Sequence, residues 1–195
     1  FFTMSNFFYK SFSFIMEMEG VDFRGALEIL ARKAGIDLSL YGRGDGGVRK
    51  QKDKSLEILE LATKYYQKCL IKSPEAVEYI VKKRKFNKKT MTYFRVGYAP
   101  NNGTAVVDFL KRRDFTDEQI KSAGLSAQRY NGLADMFRGR ITIPLMDAQG
   151  STIGFTARIL VDNPDAPKYI NTPQTVLYDK SRHVFGMFKA KESIR

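Results

Sequence analysis

The chain has 195 residues, 43% of them hydrophobic, with 33 Lys+Arg against 21 Asp+Glu and a formal net charge of +12. That length suits one globular domain with a fragment of a second, and the apolar content excludes disorder of the whole chain. A single Cys and a single His exclude a disulfide framework and a Cys/His zinc cage within this chain, and they favour a reducing, cytoplasmic setting.

In chain order, the aromatic opening Phe1 to Ile15 lacks the basic region and cleavage site of a signal peptide. The chain starts on Phe rather than Met, so it is expected to be a piece of a longer protein. No apolar run approaches the roughly 18–20 residues of a membrane-spanning helix, and no membrane partner is expected. Asp22 is placed to cap a helix with Phe23, Ala26, Leu27, Leu30, Ala31 and Ala34 on one face, stopped by Gly35. Residues 41–54 (YGRGDGGVRKQKDK) have four glycines and no apolar periodicity after Tyr41; they read as a linker between residues 1–40 and a domain over 55–195.

A second helix is predicted from Leu56 to Leu70, and a third from the Ser73-Pro74 cap through Val77 and Ile80. Asn87 caps a short fourth, and Thr116 with Gln119 forms a capping box for a helix ending near Gly124. Half of the excess charge falls in residues 56–100, with ten basic and four acidic residues, and it peaks at Lys82-Lys83-Arg84-Lys85 and Lys88-Lys89. Such a balance points to a polyanionic partner, nucleic acid or an anionic surface.

After Arg138 the apolar period becomes two. Ile141, Ile143 and Leu145 form one strand, and Ile153, Phe155, Ala157 and Ile159 the next, around the turn Asp147 to Gly150. Pro144 places the first strand at an edge or a bulge. With Gly150 left-handed, Asp147 pairs with Ser151, and Leu145, Ile143 and Ile141 face Ile153, Phe155 and Ala157. That register sets Arg140 directly opposite Arg158, an arrangement that calls for a counter-anion. With Arg138 nearby, phosphates are expected on this face. Pro167-Lys168-Tyr169-Ile170-Asn171-Thr172-Pro173 then sets a cation for phosphate beside an aromatic for an unpaired base. A final helix is expected over 185–195. Gly42-Arg43-Gly44 lacks the strand and GK[ST] of a phosphate loop. His183 has no second His or Cys nearby to share a metal, Cys69 sits on the apolar side of a helix as a core residue, and no acid/base pair or nucleophile–His arrangement emerges.

Taken together, Phe12 to Glu17, Ala26 to Ala31, Phe94-Arg95-Val96-Gly97-Tyr98-Ala99-Pro100, Phe137-Arg138-Gly139-Arg140-Ile141, Ile153-Gly154-Phe155, Arg158, Pro167 to Pro173 and Asp179-Lys180-Ser181-Arg182 resemble the bacterial DnaG-type DNA primases, in that family's order, over residues 12–195. The resemblance implies an α+β fold: a remnant of the zinc-binding domain at 1–40, then the N-terminal part of the catalytic core. It implies a DNA-directed RNA polymerase that copies single-stranded DNA template into short RNA primers from ribonucleoside triphosphates, working with a replicative helicase. It also implies catalytic Mg²⁺ or Mn²⁺ held by residues beyond Arg195. The family's basic groove carries over to Arg84, Arg138, Arg140, Arg158, Lys168 and Tyr169, with Asn171 in the same block. Arg84 is singled out by the resemblance alone. The family's CxxC is absent before Phe12, where Phe2-Thr3-Met4-Ser5-Asn6 stands instead, so the zinc ligands are not in this chain. Met136 replaces a usual Arg, and Thr156-Ala157 replaces a glycine pair. Two readings from other classes compete: a stand-alone single-strand-binding module without catalysis, and an adaptor for a membrane surface or acidic protein that uses Lys82–Lys89.

Overall fold

A computed structural model describes residues 2–36, 38, 46–130 and 132–194. Contacts divide the chain into two compact units, one up to Arg49 and one from Lys50 onward. The first contains α1 (Phe2–Glu19) and α2 (Phe23–Lys33). As expected, Asp22 caps α2, accepting from the Gly25 amide at 2.9 Å. Phe12 of α1 stacks on Phe23 of α2, their centroids 4.9 Å apart.

The second unit is built on α3 (Gly46–Ile71). The helix predicted from Leu56 therefore begins ten residues earlier, and residues 46–54, expected as linker, are helical. Residues 41–45, with the Gly42-Arg43-Gly44 motif, lie outside the described residues. The chain continues through α4 (Pro74–Glu78), a π-helical turn (Tyr79–Lys83) and α5 (Lys88–Tyr93). Next come β1 (Gly97–Ala99), α6 (Ala105–Lys111), α7 (Asp117–Ser122), β2 (Ser126–Arg129), β3 (Gly132–Asp135), β4 (Arg140–Met146), β5 (Thr152–Ile159), β6 (Tyr169–Asn171) and α8 (Met187–Ile194). The caps read from sequence are formed: Ser73 accepts from Ala76, Asn87 from Thr90, and Thr116 and Gln119 make the reciprocal box. Each satisfies amides that a helix start leaves without partners.

Strands β1-β4-β5-β6 form one antiparallel sheet, and β2-β3 a separate hairpin. One face of the sheet packs on α3. Tyr66 meets Phe155 edge-on at 5.4 Å, and Phe137 meets Phe155 at 5.8 Å, within a core that includes Ile58, Leu59 and Leu110. Gly97 permits this approach, since a Cβ there would lie 2.6 Å from Tyr66 Cβ. Just before β1, Arg95 makes two hydrogen bonds of 2.8 and 2.9 Å to Glu60 of α3. Burial pushes the Glu60 carboxyl up, but the Arg95 bonds outweigh it and hold the group below its ordinary value. The other face carries Tyr98, Ile141 and Ile143 and is covered by Val77, Tyr79 and Ile80 from α4 and the π turn, with Met91 of α5. The fold is α+β, with helices on both faces of a small sheet.

The β4–β5 turn forms as expected. Gly150 is left-handed (φ 86°), and the Asp147 amide donates to the Ser151 carbonyl at 3.0 Å. The register beyond it does not follow the expectation. Met146 pairs with Thr152, but Leu145 pairs with Gly154, so Ile153 is an extra residue on β5. Ile143 then faces Thr156, Ile141 faces Arg158 and Arg140 faces Ile159. The single apolar side assumed from sequence is not needed, because helices bury both faces. Pro144 lies past the end of β1, which pairs only with Arg140–Thr142, so no ladder bond is lost on that side. Among the described residues no helix is long and apolar enough to cross a membrane.

Candidate nucleic-acid interface

The pleat assigns each candidate side chain to a face. Residues opposite one another across antiparallel strands share a side, so the row Tyr98–Ile141–Arg158–Tyr169 lies on the face under the π turn. The adjacent row Ile143–Thr156–Asn171 lies on the same face. Arg158, Tyr169 and Asn171 are thereby brought together. Arg140 is not: it sits on the opposite face, so the direct Arg140–Arg158 pair expected from sequence does not exist, and the phosphate expected from that pair loses its ground. Ile153 is the physical cause, since one inserted residue turns over every later side chain of β5 relative to β4.

Arg158 is the centre of the face. Its side chain is 20% exposed and lies 3.9 Å from the well-solvated Asp162 carboxylate. Its Nη1 donates to the Tyr79 hydroxyl and, at 3.2 Å, to the Ile159 carbonyl. The guanidinium carbon is 5.3 Å from the Tyr79 ring centroid and 5.7 Å from that of Tyr169, both within cation–π reach. Tyr169 is 56% exposed; one aromatic surface remains open at the sheet edge.

Arg140 is only 6% exposed, and its Nη1 donates to the Lys168 carbonyl at 3.3 Å. Desolvation lowers its affinity for a proton below the ordinary guanidinium value. The same carbonyl accepts from the Ile159 amide at 2.9 Å, so Arg140 braces the start of β6 while the Lys168 side chain is exposed. Arg138 is exposed in the turn leading into β4, where Gly139 is left-handed (φ 63°) and its carbonyl accepts from the Leu160 amide. Arg84 is exposed at the end of the π turn. Around it, Lys82 pairs with Glu78 at 2.8 Å and Lys83 lies 5.9 Å from the Tyr79 ring. Lys85 is held at φ 59°, a left-handed conformation that costs a side-chain-bearing residue about 1–2 kcal/mol.

Beside Asn171 opens a cavity of about 310 Å³, walled also by Thr156, Tyr178, Lys180 and His183. His183 Nδ1 is 2.8 Å from the Asp179 carbonyl and its ring lies against Tyr178. Cys69 is half-buried beside Tyr65, and burial pushes its thiol up. Among the described residues no three His, Cys, Asp or Glu side chains converge on a point that could hold a metal. Asp147 caps its own turn, accepting from the Gln149 and Ser151 amides at 2.9 and 2.8 Å. Asp135 accepts from the Val106 and Val107 amides. These carboxylates already serve backbone donors, so among the described residues the donor set fits neither zinc nor a catalytic pair of divalent ions.

Tyr79 is the member of this face that sequence reasoning missed. Its spacing from Val77 and Ile80 marks it only as helical, and nothing in the sequence signals a π turn.

Comparison with known proteins bears on the whole arrangement. Residues 65–191 match the model of the N-terminal domain of the DNA primase catalytic core. The DNA primase of Streptomyces coelicolor is 34% identical over 187 residues, covering 93% of this chain and 29% of that protein. A crystal structure of the RNA polymerase domain of Mycobacterium tuberculosis primase DnaG, in complex with a double-stranded DNA oligomer bearing a 6-nucleotide overhang, is 34% identical with a TM-score of 0.68. That match covers 73% of this chain and 45% of the crystallised one. The zinc-binding and RNA polymerase domains of Aquifex aeolicus primase match 94% of this chain and 43% of theirs, at 31% identity and a TM-score of 0.67. The chain thus spans about a third of the length of the curated relatives it matches.

Proposed function

The chain belongs to the family of the DNA primase catalytic core N-terminal domain, and from that premise we propose that it is the template-holding part of a primase. The whole enzyme copies single-stranded DNA into short RNA primers from ribonucleoside triphosphates, in the cytoplasm, beside a replicative helicase. Metal ions for nucleotidyl transfer are held by residues outside this chain, and residues 1–40 are the remnant of the zinc-binding domain. This segment contributes position and charge rather than bond chemistry.

Arg84, Arg138, Arg158 and Lys168 meet template phosphates, Tyr169 stacks on an unpaired base, and Asn171 hydrogen-bonds beside it. Arg140 supports this set from behind, by fixing the Lys168 backbone. The observation that carries the reading is the single face on which Arg158, Tyr169 and Asn171 meet, with Tyr169 56% exposed. A base stacked there would contribute about 1–3 kcal/mol, and each phosphate contact about 0.7 to the salt slope for a single strand.

Single-stranded DNA binding by fluorescence anisotropy, across a salt series, tests this. Arg158→Ala and Lys168→Ala should each weaken binding and flatten the slope by about 0.7, with duplex DNA and anionic vesicles competing poorly. Variants that bind like the unsubstituted chain, or vesicles that compete as well as DNA, would remove the interface from this face.

A further inference from the structure

We propose that Tyr79 is a positioning residue of this interface: it holds the Arg158 guanidinium in the orientation that meets a template phosphate, without neutralising it. The inference rests on the reading of the Arg158 face as the template site.

The first support is how Tyr79 arrives there. The helix starting at Pro74 does not continue as α; from Tyr79 it widens, and the Arg84 amide donates five residues back to the Tyr79 carbonyl at 3.1 Å. A π turn is rare, less favourable than α-helix, and concentrated at functional sites. Here its first residue is the one that touches Arg158. The turn closes through the Phe86 amide on the Ile80 carbonyl at 3.1 Å, with Lys85 strained at φ 59°. Two unfavourable backbone features thus flank one side chain contact.

The second support is what else holds Arg158. Among the described residues the carboxylate paired with it, Asp162, is 3.9 Å away and 68% exposed, too distant and too wet to fix a long side chain. Its Nε is buried with no hydrogen-bond partner among the described residues. The Ile159 carbonyl restrains Nη1 alone. Tyr79 supplies both a hydroxyl acceptor and a ring. It is also a neutral partner: a carboxylate in its place would orient the guanidinium equally well but cancel the charge a phosphate needs. An arginine ordered in advance loses less rotamer entropy when ligand arrives, so the contribution of Tyr79 appears in affinity and runs through Arg158.

The full chain, a fluorescein-labelled 20-residue oligothymidylate and a salt series provide the test. Tyr79→Phe keeps the ring and loses the hydroxyl; Tyr79→Leu loses both. Losing a hydrogen bond of this kind corresponds to about three- to tenfold in Kd. Tyr79→Phe should weaken binding about threefold at unchanged thermal midpoint, and Tyr79→Leu about tenfold. In an Arg158→Ala background neither should weaken it further. If Tyr79→Phe binds like the unsubstituted chain, or if the losses from Tyr79 and Arg158 simply multiply, Tyr79 only packs and the inference is overturned. Should Arg158→Ala itself bind normally, the template reading falls first and takes this inference with it, a result distinct from either. Should Tyr79→Leu unfold, Tyr79→Phe with its double variant still decides.

Discussion

Replacing Asp135 with asparagine isolates one buried carboxylate that ties the start of α6 to the strand leading into Arg138. Asp135 is 3% exposed and accepts from the Val106 and Val107 amides at 2.9 and 3.1 Å. Burial pushes its carboxyl up to about 6, against the opposing effect of those two amides. The gap from its ordinary 3.8 corresponds to about 3 kcal/mol at roughly 1.36 kcal/mol per pH unit. The sign follows from which state holds the proton. Below 3.8 both folded and unfolded chains are protonated here, and the stabilisation is fully present. As pH rises toward 6 the unfolded chain has released a proton that the folded chain retains, so stability falls, and above 6 the contribution is gone. The amide of the Asp135→Asn variant cannot titrate. Urea unfolding of both proteins between pH 4 and 7 should therefore show the stability difference, unsubstituted minus variant, falling by about 2–3 kcal/mol as pH rises. A difference that stays flat would mean that the carboxyl is not desolvated as described. One that grows with pH would mean that the two amides win over burial.

Two further substitutions separate support from contact. Arg140→Met removes a nearly buried cation whose one side-chain bond is to the Lys168 carbonyl; Kd for single-stranded DNA should rise two- to fivefold with the salt slope unchanged, whereas a slope lower by about 0.7 would make Arg140 a phosphate contact after all. Lys85→Gly relieves about 1–2 kcal/mol of left-handed strain but adds about 0.4–1 kcal/mol of unfolded-state freedom. The variant should be about 0.5 kcal/mol more stable in urea while binding DNA more weakly at low salt. A destabilised variant would contradict the strain assigned to φ 59°.

What could be read in advance was what short sequence spacing decides. The caps at Asp22, Ser73, Asn87 and Thr116 each satisfy an amide three residues on, a relation visible in any window of four. The Asp147–Gly150 turn was legible for the same reason. The start of α3 was not: Gly46, Gly47 and the charged residues after them look like a linker by composition, yet they continue a helix whose apolar stripe begins at Leu56. The faces of β4 and β5 were not either, because both strands alternate and both faces are covered, so hydrophobicity leaves the register undetermined. Arg158, Lys168 and Tyr169 emerged from residue type and order, and Arg84 from family resemblance alone. Tyr79 had no signal, since a π turn depends on packing around it rather than on a spacing within it.

The extra residue at Ile153 has a consequence for how this surface is encoded. Arg158 and Tyr169 share a face with Ile141 because Ile153 stays outside the ladder, not because of any side chain on that face. Deleting Ile153 would keep Leu145 opposite Gly154 and Arg158 opposite Ile141, since only the unpaired residue is lost. Drawing Ile153 into the ladder opposite Leu145 would instead invert the strand, turning Arg158 toward the α3 core and Ala157 outward. The bulge in β5 is as much a part of the interface as the residues on it, and a change that flattened it would be more damaging than most substitutions.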